Sequence, residues 1–436
     1  MSLNQTAKSE LLSLVFRGAA IALILQLSGL GINYLMEVLL ARWMGATQYG
    51  AYDYLISIGT LLGFLAALGL PNCSLRFIPK YIVTEDWQKL VGMIWGSWRY
   101  VVLSAVLVAI TAIVLVILKS NDSDVSWSLT LGLAMIPLWA LVRHQREMCR
   151  GIKQMTLAYL PSTVFPLLVI AATAYYRQDL STSTAIAIAG LSLLLVLPLQ
   201  LWLFARQLPH QSFRVKPIYL RREWFAVALP LLFNDSAFVL LSQTDTVMTG
   251  AILGSYEVGI YSAAFKTATG ISFILASVNA IAAPMFATLH TQGDYRGLQQ
   301  LTSTVARWMF YPTLVLALLL IIYRDRVLGL FGNEFTAGGW SMTILIMGQL
   351  VNVGAGSVGY LMEMTGNHHR SAYVLGCSAI CNLILNSILI PTLGIMGAAI
   401  ATALSMALWN IWLHQLVVKH LGIRPAICFN WLSSKD

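Results

Sequence analysis

Apolar residues run along this chain in blocks of about 20, the length of a bilayer-crossing helix. Within a block they do not alternate with polar residues, so the pattern predicts helices and not barrel strands. The blocks place spans near 18–40, 50–70, 92–118, 126–142, 156–176 and 184–205. Six more follow near 224–250, 258–287, 301–323, 338–362, 371–391 and 395–418. The polar stretch Ser2–Glu10 leads into an apolar run too long for a signal-peptide core, so no cleavable leader is expected.

Two connections are longer than the rest, near 71–91 and 206–223. The second lies near the midpoint and carries Pro209, Pro217 and the bases Arg206, Arg214, Lys216, Arg221 and Arg222. It predicts a six-helix lobe over 1–206, a linker over 207–222 and a second six-helix lobe over 223–436. An internal repeat supports the division. Gly45, Gly50 and Tyr52 follow the pattern G-x4-G-x-Y, and so do Gly254, Gly259 and Tyr261, at an offset of 209 residues. The same offset superposes Gln26, Asn33 and Glu37 on Asp235, Ser242 and Thr246. It superposes Asp53, Ser57 and Thr60 on Ser262, Lys266 and Thr269. Each set occupies one helical face. Six spans per half give the two halves the same membrane orientation, so they are related by an axis along the membrane normal.

Composition agrees with a membrane protein. Only 10% of the 436 residues are charged and 58% are apolar, where a soluble protein carries roughly 25% charge. So few charges cannot coat several water-facing cores, and disordered chains are charge-rich and apolar-poor. The fold class expected is an all-α polytopic membrane protein, with about twelve helices in two pseudo-symmetric six-helix lobes. The net charge of +9 does not indicate a nucleic-acid partner, because the bases follow the topology. Nineteen of the 27 Lys and Arg fall at the termini and in the even-to-odd loops, and five in the opposite loops. This asymmetry puts both termini in the cytoplasm.

Glu37, Asp53, Asp235, Asp245, Lys266 and Arg307 all lie in or near the spans. Each costs about 2.5–3.5 kcal/mol at mid-bilayer on insertion scales. They must therefore pair, line water or face a polar interior. The repeat-matched stripes define a candidate substrate cavity: Gln26, Asn33, Glu37, Asp53, Asn234, Asp235, Ser242, Lys266 and Arg307. Amides and hydroxyls suit sugar hydroxyls, and Lys or Arg suits phosphate. Lys266 is the expected pyrophosphate contact, with Arg307 assisting at the cytoplasmic mouth; Asp235, Asn33 and Gln26 are the expected sugar contacts.

There is no P-loop, no G-x-S-x-G and no H-E-x-x-H. No catalytic residue, metal site or organic cofactor is expected. The energy sources expected are an ion gradient, the membrane potential or the substrate gradient itself, and Asp235 and Glu37 are the candidates to couple a proton or sodium ion. The seven His fall in predicted cytoplasmic loops or near cytoplasmic helix ends. Five cysteines do not form a complete disulfide framework, and Cys377 and Cys381 are expected as buried small apolar residues.

Three segments carry a resemblance to a known family. They are Leu39–Tyr52 (LLARWMGATQYGAY), the stretch from Gln243–Gly250 (QTDTVMTG) to Gly259–Phe265 (GIYSAAF), and the small-residue run from Gly394 to Ala403. They resemble polysaccharide-biosynthesis (Wzx-type) oligosaccharide flippases of the multidrug/oligosaccharidyl-lipid/polysaccharide exporter superfamily. The resemblance covers essentially the whole chain in spacing and topology. It implies two lobes that open alternately to each side of a bacterial inner membrane. It also implies a lipid-linked oligosaccharide as cargo, with membrane lipids and other polysaccharide-assembly membrane proteins as partners. The family's cavity charges vary in position, so no site residue is carried over. A multidrug or small-cation antiporter of the same superfamily is the alternative; Lys266 in the polar stripe disfavours cationic cargo. A membrane-embedded glycosyltransferase or polymerase would need a large outer loop or clustered carboxylates, and neither is evident.

Overall fold

The computed structural model describes the backbone of residues 5–119, 127–177, 179–209, 211–212 and 215–426. Within these ranges side chains are described from residue 26 onward, except those of 119 and 234. Among the described residues the regular structure is helical, with no β-strand. This is the physical requirement for apolar blocks in lipid, where each backbone N–H and C=O must be satisfied within its own segment.

Contacts divide the chain into two units. The first contains residues 1–43 and 58–233, the second residues 44–57 and 234–436. The boundary at 233/234 lies inside a helix, downstream of the proline-containing connection at 207–222. Residues 44–57 come from the N-terminal half yet belong to the second unit.

The first unit contains parts of α1 (Gln5–Ala66), then α2 (Leu70–Val83), α3 (Trp87–Lys119), α4 (Trp127–Ala134) and α5 (Ile136–Gly151). After these come α6 (Met155–Tyr175), α7 (Thr182–Gln207) and the start of α8 (Arg221–Ile252). Its core includes Leu70, Ile78, Leu90, Met93, Ile136 and Trp224, all fully buried. The Trp224 indole N–H donates to the Tyr81 hydroxyl at 3.2 Å, which ties the start of α8 to α2. By contrast only 17% of the apolar window of α3 is buried, and Leu103, Leu107 and Leu118 are exposed. Such a surface is suited to lipid.

One helix departs from the sequence pattern. The fourth block was expected to end near 142, but α5 continues to Gly151. It is amphipathic there: Arg146 and Arg150 flank the buried Glu147, at 3.0 and 2.7 Å, while His144 and Gln145 point inward. His144, expected near a cytoplasmic loop, is therefore fully buried, 3.0 Å from Ser97 Oγ. Cys73 and Cys149 are buried, whereas Cys377 and Cys381 are only half-buried.

The second unit contains the rest of α8, then α9 (Ser255–Thr269), α10 (Ser272–Thr291), α11 (Tyr295–Ile322) and the short α12 (Arg324–Leu328). A 3-10 turn (Asn333–Gly338) precedes α13 (Gly339–Gly354), α14 (Val358–Met364), α15 (His368–Leu393) and α16 (Ile395–Leu421). Its core includes Phe286, Leu298, Met309, Leu361 and Val417.

Among the described residues, seven helical stretches, with α9 and α10 counted as one, are long and apolar enough to cross a bilayer. The number is ten when each of three bent pairs counts as one span. In addition α1 is two helices joined at Gly45, where φ is 73° and ψ is 169°. α4 and α5 are not among these spans: they are 8 and 16 residues long, and α5 carries Arg143, Arg146, Glu147 and Arg150. With these breaks recognised, the helical rods follow the twelve apolar blocks in order.

The repeat has a structural meaning inside the second unit. Gly45 and Gly254 take the same conformation, with φ 73° and 97° and ψ near 170° to 180°, which suits glycine alone. Each turns the chain into the next helix. Gly50 and Gly259 are close-approach positions. A Cβ on Gly50 would lie 1.8 Å from the Ser255 carbonyl oxygen, and one on Gly259 would lie 2.1 Å from that of Ala46. Ala46 and Ser255 are themselves repeat-equivalent, so the two motifs pack on each other reciprocally. Tyr52 and Tyr261, the third motif positions, are 2% and 0% exposed.

Candidate functional site

The glycine contact brings α9 against the 46–57 stretch of α1 and sets two polar clusters. In the first, Lys266 Nζ lies 2.5 Å from Asp53 Oδ1 and donates to the Tyr49 hydroxyl at 3.1 Å. It also lies 5.3 Å from the centre of the Tyr49 ring. The Asp53 side chain is 6% exposed and that of Lys266 25%. The repeat puts Ser262 opposite Asp53 in sequence and Ser57 opposite Lys266, so each half contributes one charge at a position where the other has a hydroxyl. Nearby, the Glu334 carboxylate accepts the Ala46 N–H at 3.0 Å. It thereby satisfies an orphan donor at the start of the helix that follows Gly45.

The second cluster is centred on Asp245 of α8, which is 1% exposed. Its Oδ2 accepts the Tyr261 hydroxyl of α9 at 3.0 Å and the Thr402 hydroxyl of α16. Its Oδ1 accepts Asn386 Nδ2 of α15 at 2.6 Å, and that amide also donates to Asn382 Oδ1 at 3.1 Å. Asn386 Oδ1 and Asn382 Nδ2 are buried with no protein partner. A carboxylate so deeply buried requires such donors, a proton or a cation. The oxygen atoms gathered here are the ligand type of hard cations. The sequence reading counted Asp245 among the in-span acids but left it out of the cavity, and it missed Asn382, Asn386 and Thr402. A signal existed: Asn382 and Asn386 are one turn apart in an otherwise apolar block.

The remaining candidate positions are dispersed. In the first unit, Gln26 and Asn33 are exposed on α1 and Glu37 is 8% exposed. In the second, Ser242 is exposed and its hydroxyl donates to the Val239 carbonyl at 3.0 Å. Asp235 is half-buried on α8. The side chain of Asn234 lies outside the described residues. Arg307 is exposed, and its Nε donates to the Ser303 carbonyl one turn back. It borders a cavity of about 410 Å³ shared with Gln299 and Arg424. Gln299 holds the Arg424 backbone through both its amide atoms, at 3.1 and 2.8 Å. The structure thus joins Asp53 to Lys266, and Arg307 to a second arginine.

Comparison with known proteins places this architecture. A probable low-salt glycan biosynthesis flippase of Haloferax volcanii, Agl15, is 29% identical over 196 residues, which is 42% of this chain and 40% of that protein. The matched segment is therefore well under half the length of that relative. An uncharacterized membrane protein of Methanocaldococcus jannaschii, MJ1068, is 22% identical over 89% of this chain and 82% of its own length. The fold is that of a multidrug resistance MATE family transporter of the MOP superfamily, solved in an inward-facing conformation. The TM-score is 0.70 at 14% identity, covering 92% of this chain and 99% of the other. The MatE family profile matches residues 230–388, the region that holds Asp245 and most of α8 to α15. The polysaccharide biosynthesis protein profile matches residues 15–290, well over half of the chain and both copies of the G-x4-G-x-Y motif. This chain belongs to the polysaccharide biosynthesis protein family.

Proposed function

We propose that this protein is a flippase. It moves a polyprenyl-pyrophosphate-linked oligosaccharide from the inner to the outer leaflet of the cytoplasmic membrane, by alternating access of its two lobes and with both termini cytoplasmic. Family membership over residues 15–290 carries this reading, and the flippase named among its relatives supports it over part of its length. Polar and charged groups gathered inside the second unit of an apolar helical protein also support a polar cargo, since such groups are costly against lipid. The protein works as a carrier and not as an enzyme. Other membrane proteins of polysaccharide assembly are its expected partners.

Pyrophosphate is taken up at the cytoplasmic mouth by Arg307, with Arg424 across the same cavity. Lys266 is the deeper cation. Its charge is held by Asp53, so it meets an anion only when Asp53 is protonated or displaced. Energy coupling is assigned to Asp245 in place of Asp235 or Glu37. Turning the Asn386 amide over would put its Oδ1 beside the Asp245 carboxylate and the Asn382 oxygen, a site for sodium; protonation of Asp245 is the other form of the same switch. A bound ion drives transport only through its differential affinity for the two states of the carrier.

The test is deletion of the gene in its own host. Lipid-linked glycan should accumulate on the cytoplasmic leaflet, and this chain supplied in trans should clear it. Unchanged leaflet distribution would sink the reading. The MatE match over 230–388 favours a second reading, a multidrug antiporter. Strong drug resistance in an expressing strain, with no glycan phenotype, would establish that one instead.

A further inference from the structure

A cavity of about 440 Å³ lies within the second unit among α10, α13, α14, α15 and α16. Its size falls within the roughly 300–1,000 Å³ of small-ligand sites. Its floor is polar and buried: Asn279 is 0% exposed, Ser357 2%, Asn410 2% and Ser371 3%. Ser357 donates to Asn279 Oδ1 at 2.5 Å, and Asn410 Nδ2 donates to Asn352 Oδ1 at 2.9 Å. Two groups of this floor are left over. Asn279 Nδ2 and Ser371 Oγ are buried and have no protein partner. An unpaired buried group costs about 1–3 kcal/mol; both belong to residues that line the cavity, so a turn of either side chain toward a ligand with matching polar groups would relieve that cost.

The rim differs from the floor. Trp409, Tyr360 and Phe238 present aromatic surface, and Glu363 is the one charged residue lining the cavity. Neither Lys, Arg nor His lines it, so it does not suit pyrophosphate. Amide and hydroxyl groups below, with aromatic faces beside them, match a pyranose ring: equatorial hydroxyls meet the amides, and the C–H face lies on an indole or phenol. The cavity also opens where cargo would enter. Its lining residues Tyr360 and Glu363 of α14 and Ser371 of α15 flank the short α14–α15 connection, which the Lys and Arg distribution marks as cytoplasmic.

We infer that this cavity binds a sugar residue of the cargo, separately from the arginines and lysine that meet its pyrophosphate. The inference rests on the flippase reading. It converts an unspecific expectation, sugar contacts along the polar stripes, into a defined site that does not include Asp235.

A cavity-filling variant tests it. Gly359 lines the cavity, and a Cβ there would meet nothing within 4 Å. Gly359→Leu should therefore fill the space without strain and keep the melting temperature of the full-length protein. Saturation-transfer NMR in detergent, with glucose, galactose and N-acetylglucosamine as probes, should show transfer to at least one sugar in wild type and none in Gly359→Leu. Ser371→Ala should weaken that sugar about tenfold, the effect of one hydrogen bond. No transfer in wild type, or transfer undiminished by a folded Gly359→Leu, overturns the inference. So does transfer to tetraphenylphosphonium that Gly359→Leu abolishes, because the cavity would then hold cations. The flippase reading is judged apart from this, by whether wild type clears cytoplasmic-leaflet glycan in the deletion strain.

Discussion

Lys266 and Asp53 form an ion pair, 2.5 Å from nitrogen to oxygen, between helices that belong to opposite halves of the sequence and to the same folded unit. Neither charge has a charged equivalent in the other repeat. The pair is thus an asymmetric device on a symmetric frame, and it controls the one cation embedded in the repeat stripes.

Removing one partner should hurt more than removing both. Asp53→Asn leaves a half-buried ammonium without its counter-ion and should destabilise the protein by about 1–3 kcal/mol. Asp53→Ala combined with Lys266→Met should recover most of the melting temperature and none of the transport. Recovery of glycan export by the double variant would remove the pair from the mechanism. Lys266→Ala alone should abolish export at normal protein level.

The reciprocal glycines should tolerate no side chain. Gly50→Ala and Gly259→Ala each place a methyl group inside a backbone carbonyl contact, and overpacking of this kind costs about 1–3 kcal/mol. Both should lower the melting temperature and weaken the Lys266–Asp53 pair that the contact positions. Gly31→Ala is the control, since a Cβ there meets nothing within 4 Å. It should raise stability by up to about 1 kcal/mol through helix propensity.

Asp245→Asn should uncouple the carrier. If the site takes sodium, sodium chloride raises the melting temperature of wild type above that in choline chloride, and Asp245→Asn loses the increment. If it takes a proton, the wild-type melting temperature ignores sodium and has a pH-dependent component that Asp245→Asn loses. A variant that keeps gradient-driven export would move the coupling site elsewhere. Asn382→Ala and Asn386→Ala should weaken the ion response and preserve folding less well, since each leaves a partner unpaired.

Outside the membrane, Asp86 lies in the turn between α2 and α3. Lys89 holds its carboxylate below the ordinary range, first through the side-chain hydrogen bond and further through the Lys89 backbone N–H. The Lys89 Nζ to Asp86 Oδ2 distance is 2.6 Å. A depressed carboxylate contributes stability above its unfolded value, and the contribution is lost as pH falls through the folded value. Wild type should therefore lose a small increment of melting temperature below about pH 4, and Asp86→Asn should lack that step. The Asp86 side chain is only half-buried and solvent screens the pair, so the step is small.

Much of the architecture was legible in the chain itself. Apolar blocks of bilayer length leave the backbone no option but helix, and the breaks fall at glycines and charged turns. The G-x4-G-x-Y repeat correctly marked equivalent positions. Its reason was invisible, because nothing in one copy says that Gly50 must face Ser255 and Gly259 must face Ala46. The end of α5 was misjudged for a related reason: Arg143, Arg146 and Arg150 resemble a loop until the buried His144, Gln145 and Met148 reveal a second, inward face.

The site divides in the same way. Sequence determined that a few polar side chains lie in an apolar protein, that the two halves repeat, and which end faces the basic side, because these depend on solvent and on local periodicity. Tertiary structure alone decided partners: that Asp53 neutralises Lys266, that Asp245 gathers Tyr261, Asn386 and Thr402, and that Asn279 and Ser371 share a cavity. Those residues lie up to 213 positions apart in hydrogen-bonded pairs, and pairing at such range is set by helix packing, which hydropathy along one helix does not encode.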